Sequence, residues 1–368
     1  MSGIAQVVNS LGFGGLEGVA VRLANALAKS DLDSHVLLTS RASGDLMEQL
    51  SPQVATWRMG RRRAVDLAAV RRMSRYFDEH EILLVHSHNW VAAYLAQAAI
   101  HFAKSSPIHV LHDHCGVYDE WRRVFDRVFL RRLQAVIAVS EPVRKRFGEV
   151  LGFGSERCLW IPNGVEIGPV VAPWQGRPTV VQVANFKDPK AHDVAFEAAA
   201  RLRVVVPELR WVCVGALDED LRYTQRMEKL FSDRGLEGCL EMPGGSHDVR
   251  VRLQEANVGV LTSDEEGLPL SVLEYMAESL PVVMTDVGQA PVLLAECGGG
   301  RVVPPRDPGA LVGALGEYLA DRDLSRRTGE AGREYVREKF SREVMLEGVQ
   351  SLYAALFSER GIALPWRT

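Results

Sequence analysis

A chain of 368 residues, 47% apolar and 24% charged, is long enough for two ordinary α/β domains with their own cores. A formal net charge of −4 gives no electrostatic case for a nucleic-acid partner. No apolar run reaches the length of a bilayer span, and no charged start, apolar core and cleavage site open the chain, so a cytoplasmic location is expected.

Ile4 to Asn9 reads as a first strand and Leu16 to Ala28 as an amphipathic helix. Between them, Leu11-Gly-Phe-Gly-Gly-Leu-Glu17 is a glycine-rich turn at a helix N-terminus, where a backbone comes close to a diphosphate. It is a weak dinucleotide signature: Gly18 must be forced into register, and no acidic residue ends the second strand, Ser34 to Thr39. A helix over Asp66 to His80, a strand over Ile82 to His88 and a helix over Trp90 to Phe102 follow. Pro107 to Asp113, Ala135 to Ser140 and the segment from Cys158 read as further strands. Such alternation implies a mostly parallel sheet, whose ligands sit beyond the carboxyl ends of the strands. His86, His88, His112, His114, Ser140 and Asn163 all fall at those ends. Each His-x-His pair shares one strand face and so invites a metal. No neighbouring carboxylate or cysteine pattern completes a set, so ordinary strand-end hydrogen bonds are expected for His86, and none of these residues is expected to hold a metal. Cys115, Cys158, Cys213, Cys239 and Cys297 are scattered, which fits reduced thiols better than disulfides or zinc.

Glycines and prolines over Val165 to Arg177 mark an interdomain linker. Thr179 to Ala184 starts a second sheet, and its loop, Asn185-Phe-Lys-Asp-Pro-Lys190, leads into a helix over Val194 to Arg203. Arg210 to Gly215, Leu240 to Gly245, Ala256 to Thr262, Pro281 to Asp286 and Gly300 to Val303 continue the strands. Asp218-Glu-Asp220 resembles a metal-binding Asp-x-Asp, but its place just before the helix Leu221 to Arg234 makes it an N-cap. Asp307-Pro308 caps a helix over Gly309 to Ala320, and Phe340 to Phe357 is a last amphipathic helix. After Thr262 comes a polar turn, Asp264 to Leu268, then Pro269 in the first turn of a helix with Val272, Leu273, Met276 and Ala277 on its apolar face. A strand, a tight loop and a helix start make an anion site, framed here by Glu266 and Glu274. Such carboxylates also occur simply as partners of a helix dipole.

Glu266-x7-Glu274, with Gly267-Leu-Pro-Leu270 between and Met276-Ala277 after, resembles the nucleotide-sugar site of family-4 retaining glycosyltransferases. The resemblance runs from Gly14 to Asp307. It implies the α/β fold called GT-B, two Rossmann-like domains with parallel sheets facing across a cleft. The implied layout is an acceptor-side domain over 1–168, a nucleotide-sugar domain over 169–345, and a helix over 346–368 crossing back to the first. On the family's pattern the amides of Gly14 and Gly15 and the Lys190 ammonium meet the diphosphate, with Asn185 standing where relatives often have Arg. Glu274 accepts from the ribose. Glu266, Gly267, Leu268, Pro269 and Leu270 hold the donor sugar, and His114 lies beside the reacting carbon, with His112 or a shifted register as the alternative. The implied catalytic set is His114, Lys190 and Glu266. Three further departures are Cys115 after His114 in place of Gly, Ala191 in place of the Gly after the lysine, and Val292 in place of the Glu of Gly-Gly-x-Pro-Glu.

The reaction so implied moves a hexose-type sugar from a nucleotide diphosphate sugar, UDP-linked by family frequency, to a hydroxyl acceptor. The acceptor is a glycan, a lipid-linked sugar or a small natural product, and neither cofactor nor metal is expected. Two rivals share the architecture: a nucleotide-sugar epimerase, and an inactive nucleotide-binding partner subunit. Arg122, Arg123, Arg127, Arg131 and Arg132 accompany Trp121, Val124, Phe125, Val128 and Phe129. That pattern is either a basic amphipathic helix in peripheral contact with anionic membrane, or a core-packed helix with a solvated arginine face.

Overall fold

The structure, a computed structural model, describes residues 3–12, 14–30, 32–42, 44–63, 66–114, 123–169, 175–246 and 248–362. Of the sequence readings, Cys115, Trp121, Arg122, part of the linker and the end of the last segment lie outside these residues. Two units divide the chain, Met1–Gly164 with Met345–Thr368, and Val165–Val344.

The first unit runs β1 (Gly3–Val8), α1 (Gly15–Leu27), β2 (Asp33–Leu38), β3 (Ala55–Arg58), α2 (Leu67–Glu79), β4 (Ile82–Ser87) and α3 (Trp90–Phe102). It continues with β5 (Ile108–Asp113), α4 (Arg123–Phe129), β6 (Ala135–Ala138), α5 (Glu141–Leu151) and β7 (Cys158–Trp160). The second begins with β8 (Thr179–Val183), α6 (His192–Val205), β9 (Arg210–Val214), α7 (Leu221–Asp233), β10 (Leu240–Gly244) and α8 (Val249–Gln254). It continues with β11 (Val258–Leu261), α9 (Leu270–Ala277), β12 (Val282–Thr285), α10 (Ala290–Cys297), β13 (Gly300–Val303), α11 (Pro308–Ala320) and α12 (Arg322–Lys339). The last helix, α13 (Arg342–Glu359), belongs to the first unit from Met345 onward.

All the paired strands run parallel, as β3-β2-β1-β4-β5-β6-β7 in the first unit and β10-β9-β8-β11-β12-β13 in the second. Both orders reverse once, at β1/β4 and at β8/β11, and the crevice beyond such a reversal is where open α/β sheets take ligands. Strand residues alternate between the two faces. On one face Ile4, Leu84, Val110 and Ile137 pack against Val19 and Leu23 of α1 and against Val349, Tyr353 and Phe357 of α13. On the other, Ala5, Val7 and Val85 meet α2 and α3. Each fully buried large aliphatic contributes roughly 1.5–3 kcal/mol, so α13 is as much a part of this unit as α1.

Two details differ from expectation. Pro269 stands one residue earlier than its predicted first-turn position, as the extended N-cap of α9. The 18-residue α12 had no periodic apolar signal, because its buried stripe is Thr328, Gly329, Gly332 and Val336. Those small residues serve close packing: a Cβ on Gly329 would lie 1.9 Å from the Ser279 carbonyl oxygen. No helix among the described residues is long and apolar enough to cross a membrane.

Candidate functional site

In the second unit the loops leaving β8 and β11, on either side of the reversal, are joined to one another. The Thr262 hydroxyl contacts the carbonyl oxygens of Lys190 (3.0 Å) and Ala191 (3.1 Å), and the Asp264 amide donates to the Pro189 carbonyl at 2.8 Å. This brings Lys190 Nζ to 2.6 Å from Glu266 Oε1, an oxygen that also accepts from Ser263 Oγ at 2.6 Å. The Glu266 side chain is only 9% exposed and that of Lys190 23%, so the pair is a charge-assisted bond at the mouth of the sheet. Ser263 is in turn fixed by Thr285 Oγ1, which donates to its carbonyl at 2.6 Å.

Pro269 gives α9 no side-chain cap, so its first turn relies on other acceptors. Glu274 stands on the second turn, half-buried. Leu268 and Pro269 are buried, Gly267 and Leu270 half-buried. Behind the loop, Gly288 has φ +60°, and a Cβ there would fall 2.3 Å from the Glu266 carbonyl oxygen and 2.6 Å from that of Gly267. Only glycine meets both conditions.

Asn185 is engaged on both sides of its amide. Its Oδ1 accepts from the Ala216 amide at 3.0 Å and its Nδ2 donates to Glu219. Lys187 pairs with Glu219 at 2.5 Å, away from the Lys190–Glu266 pair. Asp220 accepts from the amides of Arg222 and Tyr223, as an N-cap should. Ala191, where relatives carry Gly, sits at φ +50° in the left-handed region.

In the first unit Gly14 is the extended N-cap of α1, and both Gly14 and Gly15 are exposed. Arg22 lies two turns along the same helix. A Cβ on Gly18 would meet its Nη1 at 3.2 Å, so the guanidinium lies over Gly18, toward the helix start. Beside the β1/β4 reversal a hydrogen-bonded chain crosses the sheet. Its links are Asn163 Oδ1 to His114 Nδ1 (3.1 Å), His114 Nε2 to His88 Nδ1 (3.1 Å) and His88 Nε2 to Gln6 Oε1 (2.7 Å). Gln6 Nε2 lies 3.4 Å from the Tyr353 hydroxyl, which is 2.6 Å from His86 Nδ1. Burial holds His86, His109 and His114 down to about 3. For His114 the Asn163 bond opposes the shift and the Arg22 charge adds to it. Each neutral imidazole has one proton to donate, so the bonds run in one direction and one of the two amides presents its NH2 to a ring nitrogen.

Ser140, another predicted strand-end residue, is spent on capping α5 through the Val143 amide. Cys158, Cys213 and Cys239 are buried free thiols and Cys297 is a half-buried one. The predicted basic helix is α4 over its described part. Val124, Phe125 and Val128 are 77%, 56% and 64% exposed, alongside exposed Arg127, Arg131 and Arg132. The core-packed alternative does not describe these three residues. Asp126 supplies the buried side, accepting from Tyr94 Oη.

The glycine-rich turn, the lysine loop and the Glu-x7-Glu segment thus each lie at a strand carboxyl end beside a reversal. Two family descriptions match adjoining stretches: Glycosyltransferase Family 4 over residues 13–168 and Glycosyl transferases group 1 over 169–335. The chain belongs to the family-4 glycosyltransferases. The putative colanic acid biosynthesis glycosyltransferase WcaL of Salmonella typhimurium is 30% identical over 182 residues, 47% of this chain and 44% of WcaL, so the chain spans under half the length of that relative. A GDP-mannose-dependent phosphatidylinositol monomannoside mannosyltransferase of Mycobacterium tuberculosis is 29% identical over 294 residues, 72% of this chain and 74% of the relative. Among solved structures, Anabaena Alr3699/HepE in complex with UDP and glucose is similar in fold, with a TM-score of 0.82 at 17% identity over 95% of this chain and 99% of that one. Each unit of the chain has the Rossmann-like parallel sheet of the GT-B fold.

Sequence reasoning missed Arg22, Ser263, Thr285 and Arg306. Arg306, at φ +60°, binds Asp264 Oδ1 at 2.8 Å and Asp193 Oδ2 at 2.7 Å, clamping the β11 loop to the start of α6. Only Arg22 left a sequence signal: it follows Gly15 by seven residues, two turns, on the same helix face.

Proposed function

We propose that this glycosyltransferase is a retaining, metal-independent enzyme that moves a hexose-type sugar from a nucleotide diphosphate sugar to a hydroxyl acceptor. The observation that carries the reading is the Lys190–Glu266 pair at the β8/β11 reversal, beside the start of α9. Departure of a diphosphate from the sugar develops negative charge, and a fixed cation and amides placed there lower the barrier electrostatically. Lys190 exchanges Glu266 for the diphosphate as donor binds, freeing the carboxylate to accept from sugar hydroxyls together with the amides of Gly267 to Leu270. Glu274 accepts from the ribose. In the first unit the amides of Gly14 and Gly15 meet phosphate, with Arg22 adding charge, and neutral His114 lies by the reacting carbon as a hydrogen-bonding group. Asn185 holds the lysine loop to the loop after β9. Retention follows a front-face departure in which the leaving phosphate helps deprotonate the acceptor.

UDP is the preferred nucleotide, supported by HepE, whose structure carries UDP and glucose; GDP, named for the mannosyltransferase, is the alternative. The enzyme works in the cytoplasm. Exposed Val124, Phe125 and Val128 beside Arg127, Arg131 and Arg132 support a peripheral contact with anionic lipid.

The test is mass-spectrometric turnover of UDP-, GDP-, ADP- and dTDP-sugars, without metal, by wild type and Glu274→Ala. Slow hydrolysis of one donor by wild type, at least about tenfold slower in the variant, is the expected result. Turnover of no donor, with no nucleotide raising the melting temperature, overturns the proposal.

A further inference from the structure

His86, His88 and His112, at the ends of β4 and β5, form a second feature that the proposed sugar transfer does not use. His86, His88 and His112 each place a ring nitrogen within 4.8 Å of the other two, and all three are fully buried. The His86 ring stacks with those of His88 and His112, centroids 4.6 Å and 5.3 Å apart, and the His88 and His112 rings are tilted to one another at 5.7 Å. Among the described residues neither ring nitrogen of His112 has a hydrogen-bond partner, nor does His86 Nε2. A buried polar atom left unmatched costs about 1–3 kcal/mol, and three of them meet in one place here. We propose that His86, His88 and His112 form a binding site for a transition-metal dication of the zinc class.

The chemistry of the donors fits. Burial keeps all three imidazoles neutral, the ligating form, with no proton to displace from a lone pair. Zinc–nitrogen bonds of about 2.0–2.1 Å put tetrahedral nitrogens about 3.4 Å apart. From 4.8 Å, each ring nitrogen moves inward by less than about 1 Å, within reach of a ring rotation. Three histidines with water or hydroxide in the fourth position are an established zinc set. Outer hydrogen bonds of the kind metal-ligating histidines use are present at two of the three, from His86 Nδ1 to Tyr353 and from His88 to Gln6 and His114. Because His88 has both nitrogens engaged, binding gives up one of its two bonds. Asp113 contributes nothing, since strand alternation turns it to the other face, where it accepts from Trp90 Nε1 at 3.1 Å. The sequence alone suggested two separate pairs; the parallel register His86↔Val110 and Ser87↔Leu111 makes them one cluster.

Zn2+ titrated calorimetrically into the untagged, chelator-treated full chain, with no nucleotide present, tests this. One site per chain is expected, with an accompanying rise in melting temperature. Affinity falls at least about tenfold in His112→Ala and in His86→Gln, and stays unchanged in His101→Ala, which removes an exposed histidine. His86→Gln serves as the reporting variant if His112→Ala does not fold. No saturable heat with Zn2+, Ni2+ or Co2+, or undiminished affinity in the ligand variants, overturns the site. Neither outcome touches the sugar-transfer reading, which is measured without metal.

Discussion

Gly288 lies behind the loop that presents Glu266, and Gly288→Ala perturbs that loop without touching a charged group. The new Cβ would stand 2.3 Å and 2.6 Å from the carbonyl oxygens of Glu266 and Gly267, where real contacts are no closer than 3.0 Å. Both obstacles are backbone, so the loop itself has to move by several tenths of an ångström. It also carries the Gln289 amide bond to the Gly267 carbonyl, 3.2 Å. A left-handed φ costs an L-residue about 1–2 kcal/mol, and forced overlap in a packed site typically 1–3 kcal/mol more, so the total is about 2–5 kcal/mol. Gly298→Ala is the control, because Gly298 has φ +65° but nothing within 4 Å of its Cβ position. It bears only the conformational part. Melting curves of the two variants therefore differ by the overlap alone, at least about 1 kcal/mol, or 2–4 °C for a unit of this size. Donor hydrolysis is expected to fall in Gly288→Ala and to hold in Gly298→Ala. If the two variants are equally stable and equally active, the loop is not braced as described.

Three further outcomes are expected. Lys190→Ala lowers donor turnover at least about tenfold, roughly 1.4 kcal/mol, and combining it with Glu266→Ala costs less than the sum of the two single changes because the groups are bonded to one another; additive losses in a double-mutant cycle would refute the coupling. Acid is expected to destabilise the first unit. His86, His109 and His114 are held down to about 3 when folded, so their contribution is complete above the unfolded value of about 6.5 and is lost as pH falls from there toward 3. At pH 5.5 each costs about 1.4 kcal/mol, about 4 kcal/mol for the three, and equal urea midpoints at pH 7.5 and 5.5 would contradict it. Finally, co-sedimentation with anionic vesicles should drop in Phe125→Ser/Val128→Ser and be absent with zwitterionic vesicles; binding that ignores both changes leaves α4 without a lipid role.

Much was legible in the chain itself. Strands alternating with helices required two parallel sheets, because runs such as Ile82 to Val85 and Val258 to Leu261 are too apolar to leave a face in water. The turn chemistry of Gly14-Gly15, the Glu266-x7-Glu274 spacing and the lysine loop are local, and local patterns survive in sequence. The capping roles of Asp220 and Asp307 are local too, and both residues accept from first-turn amides of their helices.

Only the tertiary structure decided what meets across sequence distance. Lys190 and Glu266 are 76 residues apart and bonded because β8 and β11 are neighbours in the sheet. Arg306 reaches back 113 residues to Asp193. The four strand-end histidines gather because β4 and β5 pair in one register, a choice made by packing both faces at once, and α13 then supplies Tyr353 from 267 residues beyond His86. Whether Val124, Phe125 and Val128 were core or surface could not be read from their periodicity, which is the same for either partner. Asp126 decided it, since Tyr94 offers that carboxylate a buried hydrogen bond and the opposite, apolar edge of α4 is turned to solvent.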